Sequence, residues 1–211
     1  MILPAIDHSA TLGTARHQGQ RLTCLAFAVS DVNRHVAPAP DLLSAEYLYQ
    51  HAGALTPGWT AGGPLPLAPT LTVVKTSGQP LETDFPYQPA SATNVAIPVV
   101  PSGAAMYSSG LREIQRKSDV IIAELQKGRV VGLIIEITLT MTAPVNGVVS
   151  FSPLILPNNA HAVIAVGLGA TADAKQYVLI RNSWGVKWGE RGHAWLPIEY
   201  IDMHVLQAFG R

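Results

Sequence analysis

Cysteine is nearly missing from this chain. Cys24 is the only one in 211 residues, which excludes an internal disulfide. Charge is scarce too. Lys plus Arg and Asp plus Glu number 14 each, 13% of the chain together, and the formal net charge is zero. With that balance no basic patch argues for a nucleic acid, so that partner class is not expected. Long apolar runs are absent. The longest, residues 130–137, is interrupted by Gly132 and Glu136 and falls well short of the roughly 20 residues that cross a bilayer. It reads as a buried strand, and no membrane association is expected. The first ten residues carry neither a basic start nor an apolar core, so no signal peptide is read there. His8, His17, His35, His51, His193 and His204 show no ligand spacing with Cys or carboxylates, so neither metal nor cofactor is expected. What is present is 48% apolar residues, enough for one packed domain, or one of two lobes.

The sole cysteine sits where chemistry is easiest to read. A polar loop containing Gln18 and Gly19 leads into an apolar helical run expected to reach about His35, which places Cys24 near a helix N-terminus. Unpaired backbone N–H groups and the positive end of the macrodipole favour an anion there, and the thiolate is the reactive form of a cysteine. Gln18 could return a side-chain N–H to an oxyanion forming beside the sulfur. A lone cysteine on an apolar helix is also commonly a small buried hydrophobe. A base and an orienting group downstream decide between these readings.

Both are there. His161 stands at the mouth of an apolar, β-branched run, residues 161–167. A second strand-like run over 177–182 ends in Asn182-Ser183-Trp184-Gly185, with Trp188-Gly189 following. With Gln18-Gly19 and Cys24, and with His161 followed by Ala-Val, these motifs resemble the papain-like cysteine peptidases. The Cys-to-His gap, 161 − 24 = 137, lies inside the separation of about 130–150 typical of that family, and the Asn gap, 182 − 24 = 158, lies just beyond it.

Along the chain, helix signals come first and strand signals later, which indicates an α+β fold. Residues 1–16 read as extended or irregular. After the Cys24 helix, residues 41–53 form a helix with Ser44 as N-cap and Gly53 as its stop. Residues 55–69 are loop, 69–76 a short helix, and the proline-rich 79–102 an irregular linker in which Glu82 and Asp84 are solvated. A helix over 118–128 starts at Ser118 and ends at Gly128. Strand-like runs follow at 130–137, 148–151, 161–167, 177–182 and 192–196. The resemblance implies a single two-lobed papain-like domain over 1–211. Its helical lobe covers about 17–105, its antiparallel β-barrel-like lobe about 106–211 plus 1–16, and the cleft lies between them.

The resemblance also implies the roles. Cys24 is the nucleophile, His161 the base, Asn182 the group that orients it, and Gln18 with the Cys24 backbone N–H the oxyanion donors. Trp184 covers the His–Asn contact. Gly62 and Gly63 offer bare backbone to a substrate strand, Pro64 and Ala160 border an apolar pocket with Leu65, and Trp188 packs near the leaving side. An apolar preference one position before the cleavage-site residue is expected. The family pattern has Gly two residues before the nucleophile and Trp after it, where this chain has Leu22 and Leu25, and the upstream cysteine that staples this loop is missing near Gln20 and Arg21. The expected function is hydrolysis of peptide bonds in a protein or peptide substrate through a thioester acyl-enzyme. The alternatives are an acyltransferase or deamidase using the same thiol, and a catalytically silent peptide-binding module. Absence of disulfides points to a reducing, cytoplasmic compartment, with export as an effector the other option. No inhibitory pro-region is read before Cys24, so control by a regulatory partner or a missing flanking segment is expected.

Overall fold

The computed structural model describes residues 1–90 and 98–211. The part of the proline-rich 79–102 segment over 91–97 lies outside the described residues. The chain divides into two compact units, Gln18–Arg112 and Met1–His17 with Glu113–Gly210.

The first unit is helical. α1 (Cys24–Val36) buries Leu25, Ala26, Phe27, Ala28, Val29 and Val32, which makes it a central helix rather than a surface one. α2 (Ala45–Ala54) is capped by Ser44, whose hydroxyl accepts the Tyr47 N–H at 3.0 Å. Gly53 is not its stop. The helix continues through it, and a Cβ there would meet the Trp59 ring at 2.5 Å, so the glycine exists to let an indole lie on the helix. α3 (Leu67–Thr76) begins two residues before the expected start, with Pro66 at its head. Buried polar side chains knit these elements. Ser30 Oγ donates to Ala26 O at 2.6 Å, Gln79 Nε2 donates to Ser30 Oγ at 2.7 Å, and Asn33 Nδ2 donates to Gln79 Oε1 at 2.9 Å. Glu82 is not solvated as expected. Its carboxylate accepts the Tyr87 N–H at 2.8 Å and the Ala45 N–H at 3.3 Å, so it serves the N-terminus of α2.

The second unit is an antiparallel sheet. Residues 1–16 are more ordered than read from sequence. β1 (Ile2–Asp7) pairs with β4 (Ile155–Thr171), and a 3₁₀ turn follows at Ser9–Leu12. β2 (Arg112–Ile114), β3 (Val131–Thr138), β5 (Gln176–Arg181), β6 (His193–Pro197) and β7 (Val205–Gly210) complete the order β2-β7-β3-β4-β5-β6, an open sheet with two ends. Two longer helices, α4 (Ser118–Gln126) and α6 (Ile198–His204), and the single turn α5 (Leu139–Thr142) accompany it. Ile121, Leu125, Tyr200 and Ile201 from the helices join Leu133, Ile135, Val163, Val178, Ile180 and Leu196 from the strands in one core. Residues 148–151 form no strand. Val148 makes only isolated bridges to Val145 and Trp195.

β4 is longer than the 161–167 run because its pairing with β3 is broken and resumed. Glu136 pairs with Ala160 but Thr138 pairs with Ile155, so residues 156–159 stand opposite the single Ile137. This bulge ends one residue before His161, at the Glu136–Ala160 pair. Bulges of this kind re-aim the side chains that follow them.

Candidate active site

In the sheet unit, Ile135 faces His161 across β3–β4, and Ile164 faces Arg181 across β4–β5. That register carries His161 on β4 beside Asn182, the first residue past β5. The His161 Nε2–H donates to Asn182 Oδ1 at 2.7 Å. The same oxygen accepts the Ser183 backbone N–H at 2.7 Å, which fixes the amide with its oxygen toward the ring. His161 is 4% exposed and Asn182 2%. With Nε2 committed as a donor, Nδ1 is the nitrogen of the neutral ring that can take a proton. Burial drives the His161 pKa down to about 4, opposed only in part by the bond to Asn182. An imidazolium here therefore needs an anion beside it.

Trp184 lies over the imidazole at 4.6 Å between centroids and 30° between planes, and Trp188 meets Trp184 edge-on at 5.9 Å. Trp188 is buried, with its Nε1–H donated to Met141 O at 3.0 Å, so it buttresses Trp184. Gly185 must be glycine: its φ is +79°, and a Cβ would sit 2.7 Å from the His17 ring. Arg181, also buried, donates to the carbonyls of Leu12, Gly13 and Thr14, tying the end of β5 to the N-terminal segment. Ala160 is exposed and stands opposite Glu136, whose carboxylate lies 3.5 Å from His204 Nδ1. Glu136 thus shares one face of the sheet with Ala160.

In the helical unit, Cys24 is the first residue of α1 and is not in a disulfide. The first backbone bond of the helix runs from Phe27 N to Thr23 O at 3.1 Å, and Thr23 gives no side-chain cap. The N–H of Cys24 thus has no carbonyl four residues back within the helix. Gln18 is buried and donates one amide N–H to Arg21 O at 2.7 Å. The Gly62–Gly63 turn is held from both sides. Tyr49 Oη donates to Gly63 O at 2.8 Å, Gly63 N donates to Thr60 O at 3.0 Å, and Trp59 Nε1 donates to Pro64 O at 3.0 Å. Pro64 is exposed, Leu25 is buried in the core, and Leu22 is exposed.

Sequence reading missed a cluster beneath this loop. Arg21 Nη1 contacts Glu46 Oε2, and Nη2 donates to Glu46 Oε1 at 3.1 Å. The guanidinium also lies 4.9 Å from the Tyr49 ring centroid and 5.0 Å from that of Tyr87. Nothing in the local pattern of residues 45–54 marks Glu46 as buried, because its partner is 25 residues away.

The sequence profile described as "papain family cysteine protease" matches residues 8–203. The chain belongs to that family. Among known proteins, chymopapain of Carica papaya is 61% identical over 33 residues, 16% of this chain and 9% of chymopapain. Cysteine proteinase EP-B 1 of Hordeum vulgare is 27% identical over 118 residues, 53% of this chain and 30% of that protein. The matched segments thus span less than a third of either relative. Among solved structures, xylellain, a cysteine protease from Xylella fastidiosa, superposes with a TM-score of 0.76 at 18% identity, covering 99% of this chain and 85% of that one. The Carica candamarcensis cysteine protease CMS1MS2, solved in complex with E-64, gives 0.71 at 21% identity, with 97% and 96% covered. The fold is therefore papain-like, helices plus an antiparallel sheet.

Proposed function

We propose that the chain is a cysteine peptidase in which Cys24 is the nucleophile and His161 its base. The observation that carries this reading is the buried His161–Asn182 contact at 2.7 Å, which leaves Nδ1 as the proton-moving nitrogen. Family membership and the position of Cys24 at the head of α1 support it. The Cys24 thiol passes its proton to His161 Nδ1, and the resulting imidazolium is balanced by the thiolate. The sulfur attacks the carbonyl carbon of a peptide bond, and the C=O π electrons move to oxygen. That oxyanion accepts N–H bonds from the Gln18 side chain and the Cys24 backbone. His161 Nδ1–H then protonates the leaving nitrogen as the C–N bond breaks, leaving a thioester on Cys24. Water, deprotonated by His161, cleaves the thioester and restores the thiol. Asn182 keeps the ring in plane and in the required tautomer throughout, the part played by the third member of a triad. Gly62, Gly63, Pro64 and Ala160 border the substrate in this reading.

The test is mass spectrometry after incubation with an epoxide that alkylates activated thiols, comparing wild type with His161→Ala. One adduct on Cys24 that forms in wild type and slows at least tenfold in the variant supports the reading, as does release of fluorophore from a peptide amide. Equal labelling in both proteins with no turnover would leave a peptide-binding module instead. Transfer to an added amine outrunning hydrolysis would make it an acyltransferase.

A further inference from the structure

The 18–23 loop that carries Gln18 and leads to Cys24 belongs to no helix or strand. It turns through Gly19 at φ +66°. With a single cysteine in the chain, no disulfide can brace it. What meets it instead is one buried ion pair and the groups around that pair.

We propose that Arg21 is a positioning residue: its guanidinium, gripped by the buried Glu46 carboxylate, sets the 18–23 loop so that the Gln18 amide and the Cys24 backbone N–H face a developing oxyanion. The oxyanion part rests on the peptidase reading; the loop-holding part stands without it.

Glu46 is fully buried, 0% exposed. Besides the two contacts from Arg21, its oxygens accept Gln50 Nε2 at 2.8 Å and the Gln88 backbone N–H at 3.3 Å. A buried carboxylate needs that many donors, yet pairs like this one add little stability over apolar residues of the same size. Their gain is in geometry. A guanidinium forked onto a carboxylate has its plane fixed, which a lysine point charge would not. Arg21 also donates to Gln88 O at 2.7 Å, so it spans from the loop to α2 and to the segment after Tyr87.

Three links carry this placement to the reacting groups. The Arg21 carbonyl accepts the Gln18 amide and so orients it. Tyr87, whose ring lies against the guanidinium, donates its hydroxyl to Gln18 O at 2.7 Å and meets Thr23 Oγ1 at 2.9 Å, holding both ends of the loop. Tyr49, also against the guanidinium, donates to Gly63 O, so the glycine turn is braced from the same point.

The experiment uses the full chain with Arg21→Met and Glu46→Met together, which removes both charges and leaves neither unpaired, alongside Arg21→Lys. Expected for the double variant is an unchanged melting temperature. Amide hydrogen exchange should be at least about tenfold faster in residues 18–24 and unaltered in the sheet unit, and kcat on a peptide amide should fall about 10²-fold with KM within twofold, the size of a misplaced donor. Arg21→Lys should keep the fold and show the same changes at smaller size. Exchange and kcat at wild-type values in the double variant would overturn the proposal. So would a fall in melting temperature with faster exchange throughout the helical unit in both variants, which marks a merely structural pair. Wild type without turnover counts against the peptidase reading alone, since exchange in 18–24 still decides for or against the clamp.

Discussion

Asn182 Oδ1 accepts two donors at once, His161 Nε2–H and the backbone N–H of its own neighbour Ser183, each at 2.7 Å. The second bond is what makes the first directional. An amide turned the other way would set its NH₂ against the Ser183 N–H, so the ring nitrogen always meets oxygen. Asn182 Nδ2, buried and without a hydrogen-bond partner, is left as the cost of that orientation.

Asn182→Ala removes the acceptor that selects the Nε2–H tautomer. Turnover of a peptide amide should fall by about 10²-fold with little change in KM, because the contact matters when the imidazolium forms and not when substrate binds. Steady-state kinetics on the purified variant check this. Unchanged kcat would mean that the ring is held by Trp184 alone.

The proton affinity of His161 should depend on Cys24. In Cys24→Ala the ring has burial against it and should titrate near 4, whereas in wild type the thiolate should keep it charged to higher pH. The ring C–H resonances followed by NMR across pH 3–9 separate the two. The sign for stability follows in the alanine variant: the folded pKa lies below the ordinary 6.5, so the contribution is present above pH 6.5 and is lost as pH falls through about 4. The shift of 6.5 − 4 = 2.5 corresponds to roughly 3 kcal/mol at about 1.4 kcal/mol per pH unit. Denaturant unfolding of Cys24→Ala at pH 7 and pH 4, referenced to Cys24→Ala/His161→Gln, should show that loss.

Trp184→Ala uncovers the imidazole. Water then reaches the His161–Asn182 bond, so the histidine should titrate above about 4 in a Cys24→Ala background, and peptide turnover in the Cys24 enzyme should drop about tenfold. NMR and kinetics measure the two effects independently.

Gly53→Ala drives a methyl into the Trp59 ring, which is held edge-on by Tyr49 at 5.2 Å and hydrogen-bonded to Pro64 O. Overpacking of this kind costs about 1–3 kcal/mol. The melting temperature should fall, and KM should rise more than kcat falls, because the displaced indole releases the Gly62–Pro64 turn. A variant with an unaltered KM would detach that turn from substrate binding.

The elements legible in the chain were those with a local signature. Ser44 capped α2 as its position implies, β3 and β5 emerged from their apolar runs, and Cys24 began α1. Elements without one were missed or misplaced. Val148 to Phe151 look β-prone but find only single bridges. β7 and α6 follow the last motif without any marker of their own. Gly53 resembles a helix stop and is a packing site, which only the indole above it reveals.

By itself the sequence determined the family and the α+β order, and it offered Cys24, His161 and Asn182 as the candidate reacting groups, because thiol, imidazole and amide are side-chain types that sit in short motifs readable in order along the chain. Tertiary structure alone decided the rest. The tautomer of His161 depends on a bond to Asn182, 21 residues away. The drop in its pKa depends on burial by a core assembled from distant strands. The brace under the Cys24 loop is an Arg21–Glu46 pair that spans 25 residues and replaces no visible motif. Proton affinity and side-chain orientation are set by neighbours in space, and neighbours in space are what a linear pattern does not list.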